Sequence, residues 1–457
     1  MQNPKWHGEM VVVTVAAPAL TEIAQQILDL ARDRVEQAEV YAYDTSSTPV
    51  DFEANRLKAL ETKDSRGVAL RVIKDGRVGL ASTTSLDDLG LLVDTAVELS
   101  AFGAEAKFDL PAQITPTPVE VFDAATAQIG VEQMVALGQD MIDRVRAYDA
   151  DILCGAGVRR MLATTEILNS RGGQGSYRQS SYALSIGGQL IRGEDFLHIF
   201  EFETSIRPDI DQQHLADKAI RRFDVAKNIV PAQTRRLPVV FNPRGVAWHL
   251  LRPLTVALSG KSVLQGASAL SDKLGQPVFD ERVSVYDDST QSGVPGAVPF
   301  DDEGIATRRL PLVERGTVAN FYYDLQTAGL AGKQSTGNGY RSPATLPSPS
   351  TGVVMIEPGD TPLTELLAGI DEGVLVESMT GNAGNVFSGD FSGSVDIAFK
   401  IERGQLTGRI KNAAVAGNIF ADMKHLGGLS AETEWVGGSV RAPHILFREL
   451  QLSTKSN

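Results

Sequence analysis

The sequence predicts an α+β fold: N-terminal α/β modules followed by a mostly antiparallel, barrel-like β domain. Three observations carry this expectation. Apolar residues recur at helical spacing in several segments before residue 230. Between those segments, apolar and polar residues alternate with period two and are punctuated by turn dipeptides. Beyond Leu237 helical patterns become few and glycine frequent, as in an antiparallel sheet with long loops. Residues 1–107 and 123–230 read as two modules, 108–122 as a linker and 231–457 as the C-terminal domain.

In chain order, Leu20, Ile23, Ile27, Leu30 and Ala31 share one face of a helix over Thr21–Val35. Glu39–Tyr43 and Val50–Glu53 read as strands. Val68–Ile73 and Arg77–Ser82 form a hairpin about Asp75-Gly76, a pair suited to the positive φ angles of a two-residue turn. Ser85 followed by Asp88 predicts a capping-box helix start, and the helix continues through Leu89, Val93, Ala96 and Leu99. Phe108–Val121, with Pro111, Pro116 and Pro118, suits a linker. Val131–Tyr148 is helical, with Met134, Leu137, Met141 and Val145 on one face. Ile152–Ala163, Thr165–Asn169 and Ser176–Gly187 alternate like meandering strands, with a turn at Asn169–Gly173. Phe196–Glu203 presents Phe196, His198, Phe200 and Phe202 on one strand face, where His198 is expected to be half-buried structure. Ile210–Ala226 is a helix.

The stretch Leu237–Phe279 organises the rest. Pro238–Phe241 reads as a buried strand ending in an Asn242-Pro243 turn. A helix follows, with Val246, Leu250, Leu254 and Leu258 in one stripe and Pro253 placed to kink it. His249 lies in the first turns of that helix, where a metalloprotease places zinc ligands. Later strands are expected at Val283–Tyr286, Leu310–Glu314, Val318–Tyr323, Gly352–Ile356, Gly373–Met379, Val395–Glu402, Gln405–Lys411 and His444–Leu452. Leu363–Ala368 is a short helix, and Arg315-Gly316 and Arg403-Gly404 are turns. Ser335–Ser350 reads as a surface loop.

The net charge of −14 and the absence of a basic cluster beyond short pairs disfavour nucleic-acid binding. The single cysteine, Cys154, excludes an internal disulfide framework and reads as a buried strand thiol in a reducing compartment. The apolar run Val11–Ala17 is too short for a membrane span and lacks a signal-peptide pattern. A cytoplasmic protein with no membrane partner is expected. Asp287-Asp288 and Asp301-Asp302-Glu303 are read as solvated loop charges rather than a cation site. No G-x-S-x-G elbow precedes a helix.

Several stretches, taken in order, make the chain resemble the TldD/PmbA family over nearly its whole length. They are Asp64–Val72 (DSRGVALRV), Asp75–Gly79 (DGRVG), Asn169–Gly172 (NSRG), Leu258–Gly260 (LSG), Lys273–Gly275 (KLG) and Phe300–Gly304 (FDDEG). Ser335–Gly339 (STGNG), Gly389–Ser392 (GDFS) and Ala416–Ile419 (AGNI) complete the set. The resemblance implies two branches. One is a zinc peptidase whose helix carries H-E-x-x-x-H, completed by a cysteine near the C-terminus. The other is a PmbA- or TldE-like partner without the metal site.

In this chain, with His249 as the first histidine, the glutamate position is Leu250 and the second histidine position Leu254. A slip by one residue gives Trp248, His249 and Pro253 instead. The cysteine position falls at about Gly437. Leucine and proline neither bind zinc nor move protons. The six histidines (His7, His198, His214, His249, His425, His444) also include no pair spaced for one helix face.

The resemblance therefore implies a chain with no metal or other cofactor of its own, the non-catalytic subunit of a heterodimer or larger assembly. Its partner would be a zinc-bearing TldD-like subunit, and its substrate an unfolded or precursor peptide. The glycine-rich loops within Gly381–Gly393 are the expected substrate grip, through Asn382, Gly384, Ser388, Gly389 and Asp390. Two other readings stay open: a homodimeric peptide-binding protein without protease activity, and a hydrolase with an unrecognised site.

Overall fold

Two β-sheets, described over residues 19–381 and 384–454 in a computed structural model, carry the chain. The run Val11–Ala17 lies outside the described residues. The N-terminal half comprises α1 (Leu20–Ala31), β1 (Gln37–Glu53), β2 (Arg56–Leu60), β3 (Lys63–Lys74), β4 (Arg77–Thr83) and α2 (Leu89–Ser100). It continues with α3 (Ala124–Gln128), α4 (Val131–Tyr148), β5 (Leu153–Asn169), β6 (Gln174–Arg192), β7 (Asp195–Ser205) and α5 (Gln212–Ala226). Strands from both sides of the proline-bearing linker enter one antiparallel sheet, in the order β4-β3-β1-β5-β6-β7 with β2 beside β1.

The two strands expected at Glu39–Tyr43 and Val50–Glu53 are one strand of 17 residues. Its polar middle is held on both sides, Asp44 opposite Arg66 of β3 and Thr164 of β5. Ladder bonds to two neighbours override the weak local propensity there. The same effect merges Ile152–Ala163 and Thr165–Asn169 into β5. Asp88, not Ser85, caps α2, accepting from the Leu91 N–H at 2.9 Å.

The C-terminal half begins with β8 (Arg235–Phe241), α6 (Pro243–Gly245), a π-helical turn (Val246–Leu250), α7 (Leu251–Leu258) and α8 (Gly260–Leu264). Next come β9 (Val285–Asp288), β10 (Arg309–Glu314), β11 (Thr317–Val318), α9 (Leu325–Leu330), β12 (Gly339–Tyr340), β13 (Ser348–Pro349) and β14 (Val354–Ile356). It ends with α10 (Leu363–Ala368), β15 (Glu372–Thr380), β16 (Asp390–Glu402), β17 (Gln405–Arg409), β18 (Ala413–Asn418), α11 (Ile419–Asp422), β19 (Leu426–Val436) and β20 (Val440–Thr454).

Strands β8, β15, β16, β18 and β20 close into a five-stranded barrel, because β20 pairs back onto β8. Closure removes the edges that would otherwise invite pairing with other chains. The pairing is mostly antiparallel, with β8–β15 and β14–β20 parallel. The strand expected over Val318–Tyr323 stops at Val318. Phe321, Tyr322 and Tyr323 bury their rings instead, and Asp324 caps α9.

Asp75-Gly76, Arg315-Gly316 and Arg403-Gly404 each adopt positive φ at both residues, as a tight hairpin turn requires. The two halves share a core. Met141 and Val145 of α4, with Leu215 and Phe223 of α5, pack in one cluster with Val240, Leu375, Ile397 and Phe399 of the barrel. Each such side chain contributes about 1.5–3 kcal/mol on burial, so parting the halves exposes a large apolar area.

Candidate functional site

Pro253 shapes the helix that should carry the chemistry. It has no N–H, and its ring crowds the carbonyl four residues earlier, that of His249. The helix widens just ahead of it, so that the Leu251 N–H bonds to the carbonyl of Val246, five residues back. This turn sends neighbouring side chains in opposite directions. Leu250, Leu254 and Pro253 are buried, the two leucines in the core of the barrel domain. Trp248 is left 45% exposed.

His249 is buried, and its Nε2 accepts the backbone N–H of Met379 at 3.2 Å. That N–H lies where the β15–β16 ladder is irregular, so the imidazole supplies an acceptor at a bulge. Accepting at Nε2 places the ring proton on Nδ1 in the neutral tautomer. Burial pushes the His249 pKa below its ordinary value, against a smaller opposing pull from Asp396.

Two of the positions that the resemblance assigns to the metal site, Trp248 and Gly437, do converge, but on an aromatic ring. Trp248 lies parallel to Phe202 of β7, with ring centres 6.0 Å apart and 6° between planes. Phe200 also stacks on Phe202, with ring centres 5.8 Å apart. Gly437, in the left-handed turn between β19 and β20 (φ 61°), is placed so that a Cβ there would meet the Phe202 ring at 3.9 Å.

Arg244 locks this arrangement from α6. Its guanidinium lies over Phe202 and Trp248 at 5.5 and 5.6 Å and donates to the Phe200 carbonyl at 2.7 Å. It also pairs with Glu201 at 2.8 Å. Arg222 joins Glu201 to Glu377 of β15. Burial pushes the Glu201 carboxyl up, but Arg222 and Arg244 outweigh it and hold the pKa below its ordinary value.

Beside this stack runs an open cleft of about 570 Å³ between β7 and the barrel. Phe196, His198 and Phe200 form one wall with Trp248, and Thr380, Asp396, Lys411 and Asn412 stand on the other. His198 is exposed in the cleft rather than half-buried as expected, because β7 is the last strand of its sheet. Asp195, at the start of β7, is pinned by Arg409 at 2.6 Å and Lys411 at 2.7 Å. An aromatic wall, a mixed-charge wall and a strand edge that pairs with no further strand among the described residues suit an extended polypeptide. Among the described residues, no group of three or more His, Cys, Asp or Glu is arranged to hold a metal ion. The Cys154 thiol is buried and pushed up to about 11 by desolvation, which leaves it protonated at neutral pH.

The glycine-rich loops expected to grip substrate follow Thr380 of the cleft. Asn382 lies outside the described residues. Ser388 donates to Asp390 at 2.6 Å, and Asn418 donates to the other Asp390 oxygen at 2.8 Å. Gly389 has φ 80° and donates to the Asn385 carbonyl at 3.0 Å. Gly384 passes so close to the Asp390 backbone that no side chain fits. The polar groups of Ser388 and Asp390 are therefore already engaged with each other and with Asn418.

The acidic pairs are not solvated. Asp287, Asp288, Asp301 and Glu303 are all buried, and each has a hydrogen-bonding partner. Arg71 bridges Glu303 at 2.7 Å and Glu39 at 2.8 Å, and Arg341 binds the second Glu39 oxygen at 2.8 Å. This network joins the N-terminal sheet to the loops of the C-terminal half. Two of its members, Arg71 and Glu303, come from motifs that carried the resemblance, DSRGVALRV and FDDEG. The partners lie 32, 232 and 302 residues apart, separations that local sequence patterns do not reveal.

Two domain profiles match the chain: a PmbA/TldA metallopeptidase domain 1 over residues 38–100 and a PmbA/TldA metallopeptidase C-terminal domain over 234–454. A metalloprotease PmbA homolog of Haemophilus influenzae is 25% identical, covering 93% of this chain and 94% of its own. A metalloprotease TldD homolog of the same organism is 27% identical over 50% of this chain and 47% of its own. Among solved structures, TldE from Thermococcus kodakarensis has a TM-score of 0.86 at 23% identity, over 94% of this chain and 100% of that one.

Proposed function

Because the chain belongs to the PmbA/TldD metallopeptidase family, we propose that it is a metal-free, non-catalytic subunit of a TldD/TldE-type protease assembly. A zinc-bearing TldD-like partner would supply the hydrolytic site, and the pair would act in the cytoplasm on unfolded or precursor peptides. One observation carries the reading. Where the catalytic branch of the family carries its glutamate and second histidine, Leu250 and Leu254 fill the apolar core, and the Nε2 of His249 is occupied by the Met379 N–H. The residues present do not fit a zinc ion, which needs converging imidazole, thiolate or carboxylate donors. Stacked rings take the space between the helix and the Gly437 turn.

The chain's own work in such an assembly is to bind rather than to cleave. The aromatic cleft along β7 is a better grip than the Gly381–Gly393 loops, whose Ser388 and Asp390 are engaged internally. Its edge, which pairs with no further strand among the described residues, takes main-chain hydrogen bonds from an extended peptide, and its rings take alternate side chains. Those hydrogen bonds fall at positions other than the Phe200 carbonyl, which Arg222 and Arg244 occupy. The test is elemental zinc analysis of the chain expressed alone and after co-expression with a TldD-like protein, together with a peptide-cleavage assay. No zinc and no cleavage alone, with about one zinc and cleavage per heterodimer, supports the reading. Stoichiometric zinc on the lone chain overturns it.

A further inference from the structure

A second cavity, of about 310 Å³, shares no lining residue with the cleft and opens between the β3–α2 region and the α8–α9 region. Its walls are largely apolar, with Phe108, Leu264, Leu330 and Leu346 contributing most. The three leucines remain 42%, 52% and 44% exposed around one opening. At its polar end stand two bases and two acids: Arg71, Lys261, Glu303 and Asp324.

The hydrogen bonding there is incomplete in a specific way. The Arg71 side chain is only 3% exposed; its two terminal nitrogens bind Glu303 and Glu39, and its face lies on Phe108 at 4.9 Å. Its Nε–H is buried without a hydrogen-bond partner. Asp324 is buried, and one of its oxygens accepts both the N–H and the hydroxyl of Thr327, at 2.7 and 2.5 Å. Among the described residues, its other oxygen accepts nothing and Lys261 forms no ion pair, although Lys261 lies near enough to act on Asp324. Arg71 Nε has no accessible surface, so the polar groups an occupant can meet are Lys261 and the Asp324 oxygen that accepts nothing.

The charges select the occupant. A simple anion would meet Glu303 and Asp324, and a simple cation would meet Arg71 and Lys261. A molecule with a carboxylate for Lys261, an ammonium for Asp324 and an apolar body for the leucines and Phe108 suits what remains open. We propose that this cavity is a binding site for a small apolar zwitterion, a free aliphatic amino acid or a dipeptide. The volume sits at the small end of ligand sites.

Isothermal titration of the full chain with L-leucine and with Leu-Leu tests this, with leucinamide and isocaproate as analogues that each lack one charge. Saturable binding of either zwitterion, with both analogues weaker by roughly tenfold or more, supports the site. Which zwitterion binds more tightly distinguishes an amino acid from a dipeptide. Because Asp324 also caps α9, the exposed Lys261→Gln and Leu330→Glu carry the mutational arm, with circular dichroism reporting the fold. Each should weaken binding roughly tenfold in a folded chain. No heat from either zwitterion at millimolar concentration, analogues binding as well as leucine, or binding unchanged in both folded variants overturns the proposal.

Discussion

Trp248 and Phe202 lie parallel, 6.0 Å apart and 6° from coplanar, and so join the helix of the C-terminal half to the last strand of the N-terminal sheet. Trp248 is also part of the cleft wall. Such a ring pair contributes about 0.5–1.5 kcal/mol beyond the area it buries, a modest share of the stability of a chain this size. Its larger effect is on what the cleft can hold. Trp248→Ala is expected to lower the melting temperature slightly while weakening an extended, fluorescein-labelled unfolded peptide roughly tenfold, read by anisotropy. Trp248→Phe should keep most of the affinity. Equal binding by all three proteins would remove the cleft from consideration as the grip.

His249 makes a different prediction, because its contribution is an acceptor rather than a surface. Removing it as His249→Ala leaves the Met379 N–H buried and unmatched, at a cost of about 1–3 kcal/mol by urea denaturation. His249→Gln offers a side-chain carbonyl at a similar reach and should recover part of that loss. Burial holds the His249 pKa below its ordinary value, so its contribution is complete above the unfolded value and is lost as pH falls through the lower, folded one. The Ala variant should therefore differ most from the parent at neutral pH and least in acid.

These two residues show what the sequence made legible. The stripe of Val246, Leu250, Leu254 and Leu258 placed a buried helix correctly, and Pro253 announced its distortion. The alternation of Phe196, His198, Phe200 and Phe202 marked an aromatic strand face. Nothing local says that Phe202 meets Trp248 or Gly437, because those contacts are set by how two sheets dock. The helix Val131–Tyr148 and the Asp-Gly and Arg-Gly turns emerge at their expected positions, since periodicity and positive φ are local matters. The burial of Asp287, Asp301 and Glu303 was illegible for the same reason as the Phe202 contacts. A run of acids reads as solvated until Arg71 reaches Glu303, Asn338 reaches Asp287 and the Gly339 N–H reaches Asp301 from elsewhere in the chain.

Rebuilding the family's metal motif should fail as chemistry and as folding. Leu250→Glu with Leu254→His restores H-E-x-x-x-H in one register, but both side chains point into the core. A buried carboxylate and imidazole without partners cost several kcal/mol, on top of the lost leucine packing of about 2–5 kcal/mol per site. The double variant is expected to unfold at markedly lower urea concentration and to take up no stoichiometric zinc by elemental analysis. A folded variant holding zinc would show that the core accommodates the site after all.

Glu39, Arg71, Glu303 and Arg341 form a buried chain of charges between the halves, and its members are not equivalent to surface ion pairs. Arg341→Met leaves one Glu39 oxygen without its cation and should cost about 3–5 kcal/mol, whereas neutralising both partners as Glu39→Gln with Arg341→Met should cost less than the single change. Urea unfolding of the two single variants and the double variant measures the coupling directly. By contrast, Arg32→Ala, at an exposed pair with Asp29, should change stability by no more than about 0.5 kcal/mol.

The pH dependence of stability should carry two opposing slopes with separable owners. Burial raises Asp287 from the ordinary 3.8 to about 7, although Asn338 and the Gly352 N–H pull it down. A carboxyl raised in the folded state favours folding where it is protonated. Its contribution is complete below about pH 4 and disappears as pH rises through 7. Asp302, raised to about 6 by burial, acts in the same direction. His444 is the converse: burial lowers it from 6.5 to about 4, so its contribution holds above 6.5 and is lost as pH falls toward 4. A group that binds a proton in only one of the two states changes stability by about 1.4 kcal/mol per pH unit, so each slope amounts to a few kcal/mol across its window. Asp287→Asn cannot ionise and should flatten the decline between pH 4 and 7, while His444→Asn removes the opposing rise over about pH 4–6.5 and should steepen that decline. Urea midpoints measured across pH 4–8 for the parent and both variants test this, and parallel curves for all three would mean that neither group sets the profile.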